Sequence, residues 1–240
     1  MSTPQFSLVV YLDKDAAILP DFLQDLRGFF SKFPVHYEVV HVVEKGSTGC
    51  VQILKQEMSN SQGKETLTLI ENRSYLGRAR SIYAGINKCQ SPFIAVTSAD
   101  LSTPLGDVFK LLQHVIAEDH VELCVGDRYK KRDSLFGKMP TPRAQLENLF
   151  NGILREKRQG LSQDPLCEIF ALRRESWSKI QKHLKERKLK GWYFGPHLHK
   201  SLQGVDIKSL EIPIFDRGTS SISFVPWKER LRLFLLSLTY

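Results

Sequence analysis

Residues 92–104 read PFIAVTSADLSTP. Pro92–Val96 has the short, apolar, β-branched composition of a buried strand. Asp100 falls just beyond the end of that run, and Pro104 suits the first turn of a helix continuing to Glu118. Strand, polar loop and helix therefore follow one another directly. The same succession extends in both directions. Upstream, Phe6–Leu12 and Glu38–Val43 are strand-like and flank a helix over Pro20–Phe33, whose apolar residues recur at helical spacing. Thr66–Ile70 and Gly77–Lys88 add a further strand and helix, and Val121–Val125 follows downstream as another strand. Such alternation predicts an α/β fold with mostly parallel strands in a central sheet and crossover helices on both faces.

Beyond residue 125 the pattern is less regular. A basic loop, Arg128–Pro142, precedes a helix near 142–157 and a short strand near 167–172. A charged helix near 175–188, an aromatic helix near 192–202 and a strand near 207–214 complete the reading. No linker rich in Gly, Ser or Pro divides the chain, so a single domain is expected. The 240 residues suffice for a sizeable core.

The net charge of +8 is unevenly placed. Residues 1–124 carry 11 Lys and Arg against 14 Asp and Glu, whereas residues 125–240 carry 23 against 12. A basic half implies an anionic partner: phosphate, nucleic acid or acidic lipid. The four cysteines, Cys50, Cys89, Cys124 and Cys167, lack metal-ligand spacing and sit mostly in apolar runs, as reduced buried thiols do. His197 and His199 stand two apart, which on a helix points them to different faces rather than at one metal. The Phe6–Leu12 run has no basic residue before it and is interrupted by Asp13, Lys14 and Asp15, unlike a signal peptide. No stretch reaches the ~18 apolar residues that would span a bilayer. The expected location is cytoplasmic, either soluble or peripheral on a membrane. The stretch 226–240, PWKERLRLFLLSLTY, places Trp227, Leu231, Phe234, Leu235 and Leu238 on one helical face, with Lys228, Arg230 and Arg232 at its basic end. It reads as an amphipathic helix, for a membrane interface with anionic headgroups or for docking on protein.

In doubly wound sheets, ligands bind beyond the carboxyl ends of the strands. After Thr66–Ile70 come Asn72, Arg73, Gly77, Arg78 and Arg80. A glycine opening a helix allows close approach, N–H groups there favour phosphate, and the arginines add charge-assisted donors. After Pro92–Val96 come Ser98 and Asp100, where a carboxylate can hold a divalent metal against a diphosphate and Ser102 or Thr103 can cap the following helix.

Taken in order, these segments resemble glycosyltransferase family 2, and within it the dolichyl- or polyprenyl-phosphate sugar synthases. Ser98–Pro104 is similar to that family's Asp-Ala-Asp-Leu-Ser-Thr-Pro, and Asn72 through Gly77 and Ala79 to Gly85 to its nucleotide-contacting run. Val125–Tyr129, Asp164–Arg173, Gly191–Phe194, Glu211–Ile214 and Arg217–Ser221 match further motifs in sequence order. The resemblance covers most of residues 5–225 and implies a GT-A-like, Rossmann-related domain over 1–225, with 226–240 as a C-terminal amphipathic helix.

It implies a nucleotide-diphosphate sugar as donor, with Glu44, Asn72, Gly77, Arg78 and Ser98 lining its site. Asp100, Arg128 and Arg143 are the implied catalytic residues: Asp100 as metal ligand, the arginines at an acceptor phosphate. The acceptor class implied is a polyprenyl or dolichyl phosphate, already an anion and needing no general base. Catalysis would then rest on positioning and on neutralising the diphosphate.

Several family acids are replaced. Glu44-Lys45-Gly46-Ser47 stands for Asp-Asp-Gly-Ser, Ser98 for the first acid of Asp-x-Asp, and Phe194-Gly195-Pro196-His197 for Phe-Asp-x-Glu. Glu168 stands where a glycine usually precedes Phe. Divalent metal, Mg2+ or Mn2+, is therefore expected to bind weakly. Two rivals follow: a binding or scaffold protein that keeps the fold without the activity, and a nucleic-acid-binding protein using the basic half. No nucleic acid is expected as partner, because the basic residues form no recognised nucleic-acid module.

Overall fold

The first strand, β1 (Phe6–Leu12), is buried along its whole length, which places it at the centre of a sheet. In the computed structural model, which describes residues 3–60, 63–128, 152, 164–184, 186, 189, 191 and 193–215, it pairs in parallel with β2 (Tyr37–Val43) and β4 (Phe93–Ser98). β3 (Glu65–Glu71) extends the sheet beyond β2. On the other side lie β5 (Leu123–Asp127), β6 (Phe170–Arg173) and β7 (Ser209–Pro213). The order is β3-β2-β1-β4-β6-β5-β7. β6 alone among the described strands runs against its neighbours, pairing antiparallel with both β4 and β5.

Helices cover both faces, as the alternation predicts. α1 (Leu19–Phe30), α2 (Thr48–Asn60) and α4 (Leu105–Ala117) pack on one face, around Leu8, Val10, Val39, Ala95 and Leu111. α3 (Arg78–Lys88), α5 (Arg174–Gln181) and α6 (Gly195–Ser201) cover the other, around Val9, Val40, Ile82, Val96 and Trp177. Period-2 alternation along each buried strand sends neighbouring side chains to opposite cores. The four cysteines are free and buried, as expected.

The topology fixes where a site can form. The carboxyl ends of β1 to β5 all lie along one edge of the sheet, because β5 runs parallel to β4 across the reversed strand. β6 starts at that same edge, since Phe170 lies opposite Val96 and Val125. The Asp164–Ile169 segment is thereby delivered to the edge where the loops after β1, β2, β3 and β4 gather. Among the described residues no helix is long and apolar enough to cross a membrane. Arg143 and the 226–240 segment lie outside the described residues.

Candidate functional site

The loop after β3 is shaped from beneath by a buried acid. Glu44, 1% exposed, follows β2 directly. One carboxylate oxygen accepts the Leu76 N–H at 3.0 Å and the other the Gly77 N–H at 3.0 Å. The Asn72 amide donates to Glu44 at 3.4 Å and to the Ser81 hydroxyl at 2.8 Å. Glu44, one of the residues implied to line the donor site, has both oxygens engaged by backbone amides of its own chain. Its location explains this: a buried carboxylate needs donors, and the adjoining loop supplies two backbone amides.

Gly77 has φ of +80°, a conformation that favours glycine. A Cβ there would stand 3.2 Å from the Gly191 carbonyl oxygen, which also accepts the Ala79 N–H at 3.3 Å. The start of α3 is thus closed by Glu44 and Gly191. The Gly77 and Ala79 amides, expected to serve an incoming phosphate, donate within the chain.

Arg78 is the cation at this corner. Its Nε lies 2.5 Å from Glu168 Oε2, with side-chain exposures of 12% and 9%. Glu168 Oε1 accepts the Phe194 N–H at 2.6 Å. The guanidinium carbon sits 5.9 Å from the Tyr11 ring centroid, within cation–π range.

Two acids that the sequence reading passed over, Asp13 and Asp15, follow β1 here. Asp15 accepts the Asp13 N–H at 2.6 Å, and Asp13 accepts a 3.4 Å hydrogen bond from the Ser47 hydroxyl. Burial raises the Asp13 carboxyl above the usual range. Burial raises Asp15 too, the Asp13 and Asp100 charges adding to the effect while Arg78 opposes it. Burial likewise pushes the Tyr11 phenol up, with Arg78 again opposing. Arg78 is therefore a positive charge felt by both Tyr11 and Asp15, while Lys14 acts on Asp13. The available signal was positional: both aspartates directly follow the first strand.

After β4, Asp100 Oδ1 accepts the Ser98 hydroxyl at 2.7 Å and the Ser102 N–H at 3.0 Å. Leu101, at φ 47°, turns the chain back around this acid. Asp100 offers one carboxylate beside a neutral hydroxyl. Among the described residues no group of three or more His, Cys, Asp and Glu is placed to hold a metal ion. This donor set does not fit a preformed site for a hard divalent cation, which prefers several oxygen ligands.

Arg128 follows β5 and is locked to Asp164, which has no exposure. Nε meets Oδ2 at 2.6 Å and Nη2 meets Oδ1 at 2.9 Å, a two-pronged pair that ties the basic loop's first residue to the segment before β6. The structure thus brings Glu44, Asn72, Gly77, Arg78, Ser98, Asp100 and Arg128 to one edge of the sheet, and adds Tyr11, Asp13, Asp15 and Glu168.

The chain is similar to known proteins both in sequence and in fold. The model of glycosyl transferase family 2 matches residues 34–181. A curated relative from Edwardsiella ictaluri, an undecaprenyl-phosphate 4-deoxy-4-formamido-L-arabinose transferase, is 25% identical over 85% of this chain and 57% of its own length. The enzyme of that name from Pseudomonas fluorescens is 24% identical over 56% of this chain and 38% of its own. The chain thus spans 57% and 38% of the length of these two relatives. Among solved structures, a Pyrobaculum calidifontis mannosyltransferase in complex with GDP-Man and Mn2+ superposes with a TM-score of 0.62 at 13% identity, covering 100% of this chain and 64% of that one. Glucosyl-3-phosphoglycerate synthase of Mycobacterium tuberculosis gives 0.60 at 11% identity, covering 98% and 80%. At such identities the likeness establishes the fold: a mostly parallel sheet between helices, of the GT-A kind.

Proposed function

The chain belongs to glycosyl transferase family 2, and we propose that it binds a nucleotide-diphosphate sugar at the Arg78 corner and transfers the sugar to a polyprenyl phosphate. One observation carries this reading: the loops after four parallel strands gather at one edge of the sheet, where Arg78 meets Glu168 and Tyr11, in a chain whose family and curated relatives are transferases. The relatives' acceptor, undecaprenyl phosphate, supplies the acceptor class.

In this reaction an acceptor phosphate oxygen forms a bond to the anomeric carbon as the bond to the diphosphate breaks. The electron pair leaves with the nucleoside diphosphate. No proton has to be removed from an acceptor that is already anionic. Arg78 faces the growing charge on the diphosphate, and a fixed guanidinium stabilises it without reorganisation. Glu44 and Asn72 hold the loop that positions Arg78. Ser98 and Asp100 line the sugar-diphosphate side. Arg128, held by Asp164, and Arg143 serve the acceptor phosphate. A divalent metal, if bound, would be held by Asp100 and would offset charge on the diphosphate, and one carboxylate makes that binding weak. No step requires it.

The protein works at an anionic membrane surface, to which the basic composition of residues 125–240 would draw it. The assay is release of nucleoside diphosphate from UDP-, GDP-, dTDP- and CDP-sugars, with polyprenyl phosphate in anionic vesicles. The expected result is acceptor-dependent release from one of them, reduced when 226–240 is deleted. No release from any donor, with nucleotide still bound, would favour the scaffold reading, for which the replaced acids at Ser98, Gly195 and His197 speak.

A further inference from the structure

We propose that Glu168 sets nucleotide affinity by competing with the diphosphate for Arg78. The inference rests on the nucleotide-sugar reading above and identifies a determinant that the reading does not use.

The geometry divides Glu168 into two halves. Oε1 is fixed by the Phe194 N–H at 2.6 Å, at the start of α6. Oε2 faces Arg78 Nε at 2.5 Å. Arg78 in turn stands over Tyr11 and acts electrostatically on Asp15 from across the edge. Glu168 therefore presents to Arg78 what a phosphate would present: an anionic oxygen in ion-pair contact with the guanidinium. Asp164 illustrates the contrast. It is wholly buried, takes Arg128 with both oxygens and accepts that residue's backbone N–H at 3.3 Å, the arrangement of a fastener within the fold. Glu168 keeps a side-chain exposure of 9%, against none for Asp164, while the two arginines are alike at 12%.

A diphosphate arriving at Arg78 meets the Glu168 charge beside it. Two anions close to one guanidinium repel each other, and part of the binding free energy is spent in overcoming that repulsion. The carboxylate need not leave when this happens, because the Phe194 amide retains its other oxygen. The guanidinium turns instead. Glycine, the family's usual residue at this position, has no such charge. The glutamate thus weakens nucleotide binding while preserving the arginine's alignment when the site holds no nucleotide.

The test is titration of UDP and GDP, in EDTA, into the wild-type chain, Glu168→Gln and Glu168→Gly. Gln keeps an oxygen for the Phe194 N–H and loses the charge, so Kd is expected to tighten about tenfold as the repulsion between the two anions is relieved. In an Arg78→Ala background, Glu168→Gln should bring no gain. Wild-type binding that neither folded variant improves overturns the inference and leaves the functional reading standing. No saturable binding by wild type or either variant sinks the functional reading itself. Should both variants unfold, the wild type still decides. Its Arg78 Nε–H resonance, identified by its loss in Arg78→Lys, is expected to shift on saturation with nucleotide as the partner changes. A resonance unmoved at saturation overturns the competition.

Discussion

Position 41 shows what a single residue on a central strand can cost. His41 interrupts the valines of β2 and is fully buried against Phe22, their rings edge-to-face at 6.4 Å between centroids. Neither ring nitrogen has a hydrogen-bond partner among the described residues. Burial, reinforced by the Arg27 charge, lowers its pKa from 6.5 to about 3. The unfolded chain therefore takes up this proton first as the pH falls. His41's contribution is intact above about 6.5 and is lost progressively down to about 3, at about 1.4 kcal/mol per pH unit. Asp13 and Asp15 act with the opposite sign. Their folded values are raised, so they favour the folded state as the pH falls through the carboxylate range. His41→Leu isolates the histidine: urea denaturation between pH 7 and 4 should show a flatter stability profile than wild type. Parallel profiles would mean that His41 is not buried in its neutral form. The sequence offers the histidine in an apolar run but cannot disclose a missing partner. Glu44 was legible as a residue after a strand, whereas its inward-turned oxygens depend on the loop after β3, nearly thirty residues further along.

At the scale of elements, apolar periodicity located β1, β2, β3, β4 and β5 and the helices α1, α3 and α4 to within a few residues. It missed α2, which buries only Cys50 and Leu54 and so carries a faint apolar stripe. It found β6 but not its direction, because an alternation of side chains reads alike from either end. Yet that reversal brings Glu168 to the site. The start of α6 gives a physical reason for one replaced acid. A Cβ on Gly195 would lie 2.5 Å from the Pro165 carbonyl oxygen and 2.7 Å from that of Cys167. The backbone of the segment before β6 occupies the space that an aspartate here would need. Gly195→Asp should therefore destabilise the fold by about 1–3 kcal/mol or more, a cost typical of overpacking, instead of restoring an acid to the site. For a chain of this size, that lowers Tm by several degrees, readable by calorimetry. An unchanged Tm would mean that the two backbones separate readily, leaving the loss of the acid without this explanation.

Across the whole molecule, charge and topology point to the same edge. The first half, with a slight excess of acid, supplies Asp13, Asp15, Glu44 and Asp100, and the strongly basic second half begins where β5 delivers Arg128. Arg78 lies over Tyr11 of the first half and pairs with Glu168 of the second. The central claim is that a nucleoside diphosphate binds there through Arg78 with little help from metal. Calorimetric titration of UDP and GDP tests it, using wild type and an Arg78→Ala, Glu168→Gln double variant that leaves no buried carboxylate charge unpaired. The wild type should bind one of the two saturably in EDTA, Mn2+ should tighten binding only modestly, and the double variant should lose about 1.5–3 kcal/mol. Absence of wild-type binding at millimolar nucleotide, or equal affinity in the variant, would contradict the account.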